Sequence, residues 1–214
     1  AGKIKKNQAL YFGIILSAIS ISMLNYSANL ISAILLASTI SFYFFIYTIW
    51  LKRKTPQNIV IGGAAGALPP VIGWTIATGS ISIEPLILFL IIFLWTPSHF
   101  WALSLYKSGD YKKANIPMLP VIAGTKTTKI NILVYALAMV PITVAPYFLN
   151  FASLFYLIIS SSMTGYYIYL CFNLYRAKNI KISNLIARKV FIYSIFYLFF
   201  IFLTILIDNL IMTI

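Results

Sequence analysis

Two residues that could do chemistry lie close together in the stretch 95–121, WTPSHFWALSLYKSGDYKKANIPMLPV. His99 is the single histidine of the chain, and Asp110 is one of its three acidic residues. Ionisable groups this close to a membrane-length apolar segment are costly, and they therefore indicate function by default. The rest of the sequence must say on which side of a membrane they lie and what they do there.

Asp110 stands among three lysines, Lys107, Lys112 and Lys113. One interpretation is a solvated carboxylate that balances its neighbours. The other is a Mg²⁺ ligand beside lysines that hold phosphate oxygens, because Mg²⁺ is usually bound by one or two carboxylates together with substrate phosphates. A single carboxylate provides few protein ligands for a metal, so the pattern alone leaves both interpretations open.

His99 also allows several interpretations. A lone histidine in a membrane bundle often makes a hydrogen bond to a neighbouring helix, but it can also carry a proton or bind a haem or a metal. Trp95, Phe100 and Trp101 surround it in sequence. These rings would suit a flat apolar ligand, and they would equally suit an interfacial aromatic belt.

A second polar segment, LKRKTPQN at 51–58, places three bases at the end of an apolar run. Topology anchors whose long side chains reach the interface explain that charge. The alternative is a site for a phosphorylated ligand, in which Arg53 gives bidentate contacts and the lysines act as point charges. Asn58 then lies at the entry to a glycine-rich helix.

The composition identifies the class of protein that must position these residues. Of the 214 residues 61% are hydrophobic and 9% are charged, against about 25% charged in soluble domains. The chain is therefore predicted to be an integral membrane protein in the lipid bilayer. Its net charge of +13 is better explained by membrane topology than by a nucleic-acid partner. Cys171 lies in an apolar run and is expected to be a buried small hydrophobe.

Seven stretches are long enough to cross a bilayer, which needs about 20 apolar residues. We therefore predict an all-α, polytopic transmembrane helix bundle in a single domain. The predicted spans are approximately 8–24, 28–50, 58–78, 84–106, 130–149, 151–173 and 187–207.

The sixteen bases decide the predicted orientation. With seven spans, every Lys and Arg falls on one face, whereas the alternate loops near Asn25, Gly79 and Asn150 contain none. The positive-inside rule makes the basic face cytoplasmic, so the N-terminus of this chain is expected inside and the C-terminus outside. The larger loops, about 51–57, 107–129 and 174–186, then lie on the cytoplasmic side. The loop 107–129 is too apolar in its second half to be disordered, and we expect it to fold back against the bundle.

The third predicted span reads NIVIGGAAGALPPVIGW. Gly62 and Gly66 are four residues apart, which favours close helix packing. Pro69 and Pro70 break the hydrogen-bond ladder near mid-membrane, which is tolerated where neighbours or a cavity satisfy the freed carbonyls. A cavity-lining face is therefore the alternative.

Two long segments carry a resemblance to a known family. YTIWLKRKTPQNIVIGGAAGALPPVIGW at 47–74 and TPSHFWALSLYKSGDYKKANIPMLPVIAG at 96–124 closely resemble protohaem IX farnesyltransferases, or haem O synthases. ARKVFIYSIFYL at 187–198 is similar to the final helix of that family. The wider group is the UbiA-type superfamily of intramembrane prenyltransferases, and the likeness covers essentially the whole chain.

The resemblance implies a bundle of about nine spans around a central cavity in the bacterial inner membrane. It implies a transferase that moves a farnesyl group from farnesyl diphosphate to a vinyl group of haem b, giving haem O for terminal oxidase assembly. Mg²⁺ and basic side chains would stabilise the diphosphate leaving group. Haem A synthase or oxidase assembly factors are the protein partners that it implies.

Site residues carry over by position. The resemblance implies that Asp110 is the catalytic and Mg²⁺-binding carboxylate of the second conserved loop. It also implies haem contact for His99, with Trp95 beside it. The residues assigned to diphosphate binding are Lys52, Arg53, Asn58, Lys107 and Lys113.

The sequence departs from the family in one respect. The family's Asp-rich motif between its second and third helices has no counterpart here, because no Asp precedes Asp110 and Glu84 falls on the opposite predicted face. The domain 1–214 is therefore expected to be incomplete at its N-terminus and not competent alone. A non-catalytic haem-binding or assembly protein is the alternative. A transporter is disfavoured, because it would need charges along a pathway or inverted repeats.

Overall fold

Seven long helices build the molecule, and the computed structural model describes residues 4–212 of the chain. Their lengths of 21 to 33 residues and their apolar composition suit membrane crossing. In chain order the spans are Lys6–Ser27, Leu30–Leu51, Asn58–Thr78, Ile83–Tyr106, Gly124–Phe148, Leu154–Arg176 and Ile180–Met212. The predicted all-α bundle of seven spans is confirmed, and the protein is a multi-pass integral membrane protein. Among the predicted cytoplasmic bases, Lys3 lies outside the described residues.

Two helix starts differ from the prediction. The fifth span begins at Gly124 and the seventh at Ile180, whereas the apolar runs predicted starts at 130 and 187. Polar residues continue these helices beyond the apolar part, and the Asn179 side chain caps the seventh span by accepting from the backbone N–H of Lys181 at 2.8 Å. The predicted loop 174–186 is therefore wrong, and the connection is only three residues, 177–179.

The segment between the fourth and fifth spans folds back against the bundle, as expected. It contains two short helices, Ser108–Lys113 and Leu119–Ile122. Met118, Leu119 and Pro120 are buried, so the apolar half of the segment packs while its lysines remain exposed.

The fourth span is the centre of the bundle and packs against the third, fifth and seventh. Its buried Ser98 hydroxyl lies 2.8 Å from the Tyr167 hydroxyl of the sixth span. The first span, in contrast, has no buried residue and packs on the second. The core that positions the candidate site is therefore formed by the later spans.

A buried carboxylate joins the sixth and seventh spans at the end of the bundle opposite to most bases. Asp208 is 1% exposed, and its carboxylate accepts hydrogen bonds from the backbone N–H and the hydroxyl of Ser153. Ser153 is itself the N-cap of the sixth span, where it accepts from the N–H of Phe155 at 3.1 Å. Asp208 thus adds a negative charge at a helix N-terminus, which is a stabilising arrangement.

The second span changes its winding halfway. Leu30–Ser41 is α-helical, but Phe42–Leu51 is a π-helix of 10 residues, with the Lys52 N–H donating to the Tyr47 carbonyl at 2.9 Å. Such i→i+5 segments are rare and are frequent at functional sites. This segment faces the third span.

The glycines of the third span serve two purposes. A Cβ at Gly63 would lie 3.0 Å from the Thr96 methyl group, and a Cβ at Gly62 would collide with the Tyr47 ring. The predicted close approach of helices is therefore confirmed at these two positions. A Cβ at Gly66 would meet nothing within 4 Å, so that glycine lines open space. The helix breaks at Leu68, directly before Pro69 and Pro70, as the prolines predicted.

Candidate functional site

An apolar cavity of about 780 Å³ opens between the third, fourth and seventh spans. That volume falls in the range of small-molecule and cofactor sites. Trp95 and His99 line it from the fourth span, and Pro69 and Pro70 line it where the third span is broken. The other lining residues are apolar side chains: Ile92, Ile195, Leu198, Phe199, Phe202, Leu203 and Leu206.

A second cavity of about 270 Å³ adjoins the first, since Ile92 and Trp95 line both. It lies between the second, third and fourth spans. Tyr43 and Tyr47 of the π-helical segment form one wall, and Gly66 is part of the opposite wall. The π-helix and the glycine face together therefore leave room that two ordinary packed helices would fill.

His99 is held between two aromatic rings. The ring centroid of Trp95 lies 4.2 Å from that of His99 on one side, and the centroid of Phe191 lies 4.6 Å away on the other. Its Nδ1 lies 2.6 Å from the Ser194 hydroxyl. The Trp95 indole N–H donates to the Ser194 backbone carbonyl at 2.8 Å. Three residues from two spans, Trp95, Phe191 and Ser194, thus fix one imidazole at the cavity wall.

The hydrogen bonds of Ser194 determine which nitrogen of His99 is free. The Ser194 hydroxyl donates its single proton to the Phe191 carbonyl at 2.6 Å. It must then accept from His99, which assigns the proton to Nδ1 in the neutral imidazole. The lone pair is left on Nε2, where it is suited to bind a metal centre or accept a proton.

Asn58 is the buried member of the basic segment that follows the second span. It is 1% exposed, and its amide Nδ2 donates to the Lys52 carbonyl at 3.2 Å. Its Oδ1 is buried and has no hydrogen-bond partner among residues 4–212. A buried acceptor without a donor is costly, so Asn58 carries an unsatisfied oxygen beneath the basic segment. Lys52 is half-buried and Arg53 is exposed beside it.

Asp110 lies in the short helix after the fourth span. Its carboxylate pairs with Lys107 at 3.5 Å, and both side chains are largely exposed. Exposed ion pairs contribute about 0–1 kcal/mol. The Lys107–Asp110 pair can therefore break at little cost in free energy, and each side chain can then bind a ligand. Lys113 is exposed on the same short helix.

Tyr111 is a neighbour of Asp110 that sequence reasoning missed. Partial burial raises the pKa of its hydroxyl, and the nearby Tyr106 and the Asp110 carboxylate raise it further. The hydroxyl is also within electrostatic reach of Tyr47. Tyr111 is therefore a neutral phenol close enough to feel both Asp110 and Tyr47, which lines the smaller cavity. Its only sequence signal is its position directly after Asp110.

The structure brings some predicted site residues together and leaves others apart. Trp95 with His99, Lys52 with Asn58, and Lys107 with Asp110 are direct contacts. Within residues 4–212, no hydrogen bond or ion pair joins the 52–58 segment to Asp110. In that part of the chain there is also no cluster of three or more His, Cys, Asp or Glu side chains. A metal would therefore rely on Asp110 and on ligand phosphates.

Comparison with known proteins decides what kind of molecule this is. Residues 1–195 match the UbiA prenyltransferase family. The chain belongs to the UbiA family. A UbiA relative from Pelagibacter ubique, named protoheme IX farnesyltransferase, is 63% identical over 208 residues, which covers 97% of this chain and 69% of that protein. The resemblance recognised in the sequence is thus confirmed.

Further UbiA relatives agree with this result. A protoheme IX farnesyltransferase from Parvibaculum lavamentivorans is 50% identical over 209 residues, covering 98% of this chain and 66% of that protein. The chain thus spans about two thirds of the length of these relatives. A solved structure from a study of digeranylgeranylglyceryl phosphate synthase has a TM-score of 0.81 at 21% identity, covering 98% of this chain and 72% of that one. That likeness shows the shared fold alone.

Proposed function

We propose that this chain takes part in haem O synthesis, as a farnesyltransferase that acts on haem b. The observation that carries the proposal is the 63% identity to a protoheme IX farnesyltransferase over nearly the whole chain. In the reaction, the C1–O bond of farnesyl diphosphate breaks and a carbon–carbon bond forms to a haem vinyl group. Water supplies a hydroxyl to the other vinyl carbon, and diphosphate and a proton leave.

The larger cavity supports haem as the acceptor substrate. It is apolar and about 780 Å³ in volume, and a flat macrocycle needs apolar walls of that kind. His99 presents Nε2 at this wall, while Trp95 and Phe191 hold its ring in place. We assign His99 as a ligand to the haem iron and Trp95 as an apolar contact of the macrocycle. The walls of the cavity are largely apolar, so charge changes there are felt strongly.

The basic end of the bundle supports diphosphate as the leaving group. Departure of diphosphate concentrates negative charge on its oxygens, and preorganised cations stabilise that charge. Arg53 can bind two phosphate oxygens at once, whereas Lys52, Lys107 and Lys113 act as point charges. Asn58 fixes the start of the third span through its bond to the Lys52 carbonyl.

The residues present fit a Mg²⁺ ion in part. Asp110 offers an exposed carboxylate, and phosphate oxygens of the substrate would complete the oxygen ligands that Mg²⁺ takes. The Oδ1 of Asn58 is buried, so we do not assign it to the ion. A bound Mg²⁺ would neutralise charge on the leaving diphosphate. The residues of this chain would orient the diphosphate and hold the haem, and the bacterial inner membrane is the proposed location.

A chimera provides the sharpest test. This chain would replace the matched 69% of the Pelagibacter ubique relative, in a host without its own haem O synthase. Extracted haems would be separated by chromatography. We expect the chimera to make haem O and its Asp110→Asn variant to make less than about a hundredth as much, a loss of roughly 3 kcal/mol of transition-state stabilisation. Lys189→Gln, which removes an exposed base of the seventh span outside the site, is the control. Normal haem O from Asp110→Asn would contradict the assignment.

The chain alone is expected to make no haem O, because Asp110 is its one carboxylate near the basic end. A purely haem-binding role is the second candidate, and the enclosed His99 favours it. Titration of the purified chimera with haem b, followed by its Soret absorbance, separates the two when it is combined with the haem O yield of the chimera. Haem binding by a chimera that yields no haem O would support the second candidate, and haem O from the chimera would exclude it.

A further inference from the structure

A basic cavity lies outside the proposed active site, at the seam between the start of the fifth span and the end of the sixth. Its volume is about 580 Å³. Four cationic side chains line it, together with Thr125, Tyr175 and the backbone of Ala177; they are Lys126, Lys129, Arg176 and Lys178. It shares no lining residue with the two cavities around Trp95.

Lys129 shows that this cavity is more than an exposed basic surface. It is 8% exposed and lies within the fifth span rather than before it. Its ammonium donates to the Ala177 carbonyl at 2.7 Å, which satisfies one of three donors. A buried ammonium is costly unless an opposite charge is near. The carbonyl supplies a partial charge only.

None of the three acidic side chains, all of which lie within residues 4–212, supplies that opposite charge. Glu84 and Asp208 lie at the other end of the spans, and Asp208 is bound to Ser153 at the start of the sixth span. Asp110 pairs with Lys107, which is the sole ion pair among residues 4–212. The four cations therefore face one cavity without a counter-charge from the described residues.

We propose that this cavity binds the phosphate of an anionic phospholipid headgroup. Basic pockets between transmembrane helices bind such headgroups, and this one lies at a bundle end, where headgroups lie in a bilayer. Lys129 would contact the phosphate from below, while Lys126, Arg176 and Lys178 would surround it. Two exposed apolar side chains are near these cations: Ile130 follows Lys129 in the chain, and the Phe172 ring lies 5.8 Å from the Arg176 guanidinium. They would contact acyl chains.

The test uses the full chain in nanodiscs of phosphatidylcholine, with and without phosphatidylglycerol. Bound lipid would be counted by native mass spectrometry, and thermal unfolding would be followed in parallel. The triple variant Lys126→Gln, Arg176→Gln, Lys178→Gln removes the exposed cations of the cavity and leaves Lys129 in place. The matched control, Lys54→Gln, Lys181→Gln, Lys189→Gln, removes the same charge from exposed positions outside the cavity.

We expect phosphatidylglycerol to bind to the unmodified chain and to raise its Tm. The cavity variant should bind it roughly tenfold or more weakly, since each base near the surface contributes to anionic-lipid binding, and the control should bind nearly as the unmodified chain does. Inorganic phosphate added to phosphatidylcholine nanodiscs tests whether free phosphate, rather than a lipid headgroup, is the ligand of the cavity. Stabilisation by inorganic phosphate alone, equal losses in both triple variants, or no preference for phosphatidylglycerol would each overturn the lipid assignment.

Discussion

The imidazole of His99 is fixed at both faces and at one nitrogen, and this defines its chemistry more closely than its sequence position does. Sequence spacing predicts that Trp95 and His99 share a helix face, because they are four residues apart. It does not predict Phe191 or Ser194, which approach from the seventh span. Contacts of this separation depend on packing of whole helices, so the tautomer of His99 followed only from the structure.

Removal of the Ser194 hydroxyl tests the orientation of His99. In Ser194→Ala, Nδ1 loses its acceptor and the ring loses its fixed tautomer. We expect haem b affinity to fall by roughly fivefold, equivalent to about 1 kcal/mol for one buried hydrogen bond, as measured by Soret titration. Ser162→Ala is the control, because Ser162 is exposed and bonds only to a carbonyl of its own helix. Equal affinities for the two variants would argue against haem contact by His99.

At the scale of helices, hydropathy predicted the number and order of the spans but not their polar ends. The fifth and seventh spans begin earlier than their apolar runs although Gly, Thr, Ser and Asn in the extensions are poor helix formers. Packing against the bundle overrides that propensity, because Thr128, Lys129 and Ser183 are buried. Lys129 illustrates the effect. It was predicted in a loop, yet it is buried within a helix. A cavity-lining face on the third span was an open alternative in the sequence. The positions and volumes of the cavities could not be predicted, since they depend on how whole helices meet.

Asp208 provides a prediction about how two helices are joined. Asp208→Asn keeps the shape of the side chain but removes the charge that accepts from the Ser153 N–H and hydroxyl. We expect a loss of about 1.5–3 kcal/mol in the free energy of unfolding, measured by denaturant titration in mixed micelles. Asp110→Asn is the matched control, and it should change stability by less than about 1 kcal/mol because its ion pair is exposed. Similar losses in both variants would contradict the proposed cap.

Substitutions at Gly63 and Gly66 distinguish a glycine that allows close helix packing from a glycine that lines a cavity. Gly63→Leu must push Thr96 away, because even a Cβ at Gly63 lies 3.0 Å from its methyl group. We expect a loss of about 1–3 kcal/mol in stability from this overpacking. Gly66→Leu should keep the fold and fill part of the smaller cavity, so haem O formation by the chimera should fall while Tm is retained. Retained stability in Gly63→Leu would show that the two spans can separate at no cost.

For the whole molecule, charge distribution predicts an orientation that helix geometry by itself does not determine. The positive-inside rule places the connections 52–57 and 107–123 in the cytoplasm. Cys171 is fully buried, so the natural thiol should not react with a membrane-impermeant maleimide. We expect Ser80→Cys to be labelled in intact cells and Lys112→Cys to be labelled only after lysis. The unmodified chain is the control, and the reverse pattern would invert the topology.

The π-helical half of the second span has a mechanical consequence. Its turns contain more residues than the 3.6 of an α-helix, so rewinding Phe42–Leu51 into α geometry would rotate its end relative to its start. This rotation would move Tyr47 at the wall of the smaller cavity. It would move Lys52 and Arg53 at the basic end by the same rotation, because they directly follow the same helix. Filling of the cavity and presentation of the cations would then be a single movement. Ligand-dependent protection of backbone amides confined to residues 42–51, measured by hydrogen exchange, would be its signature.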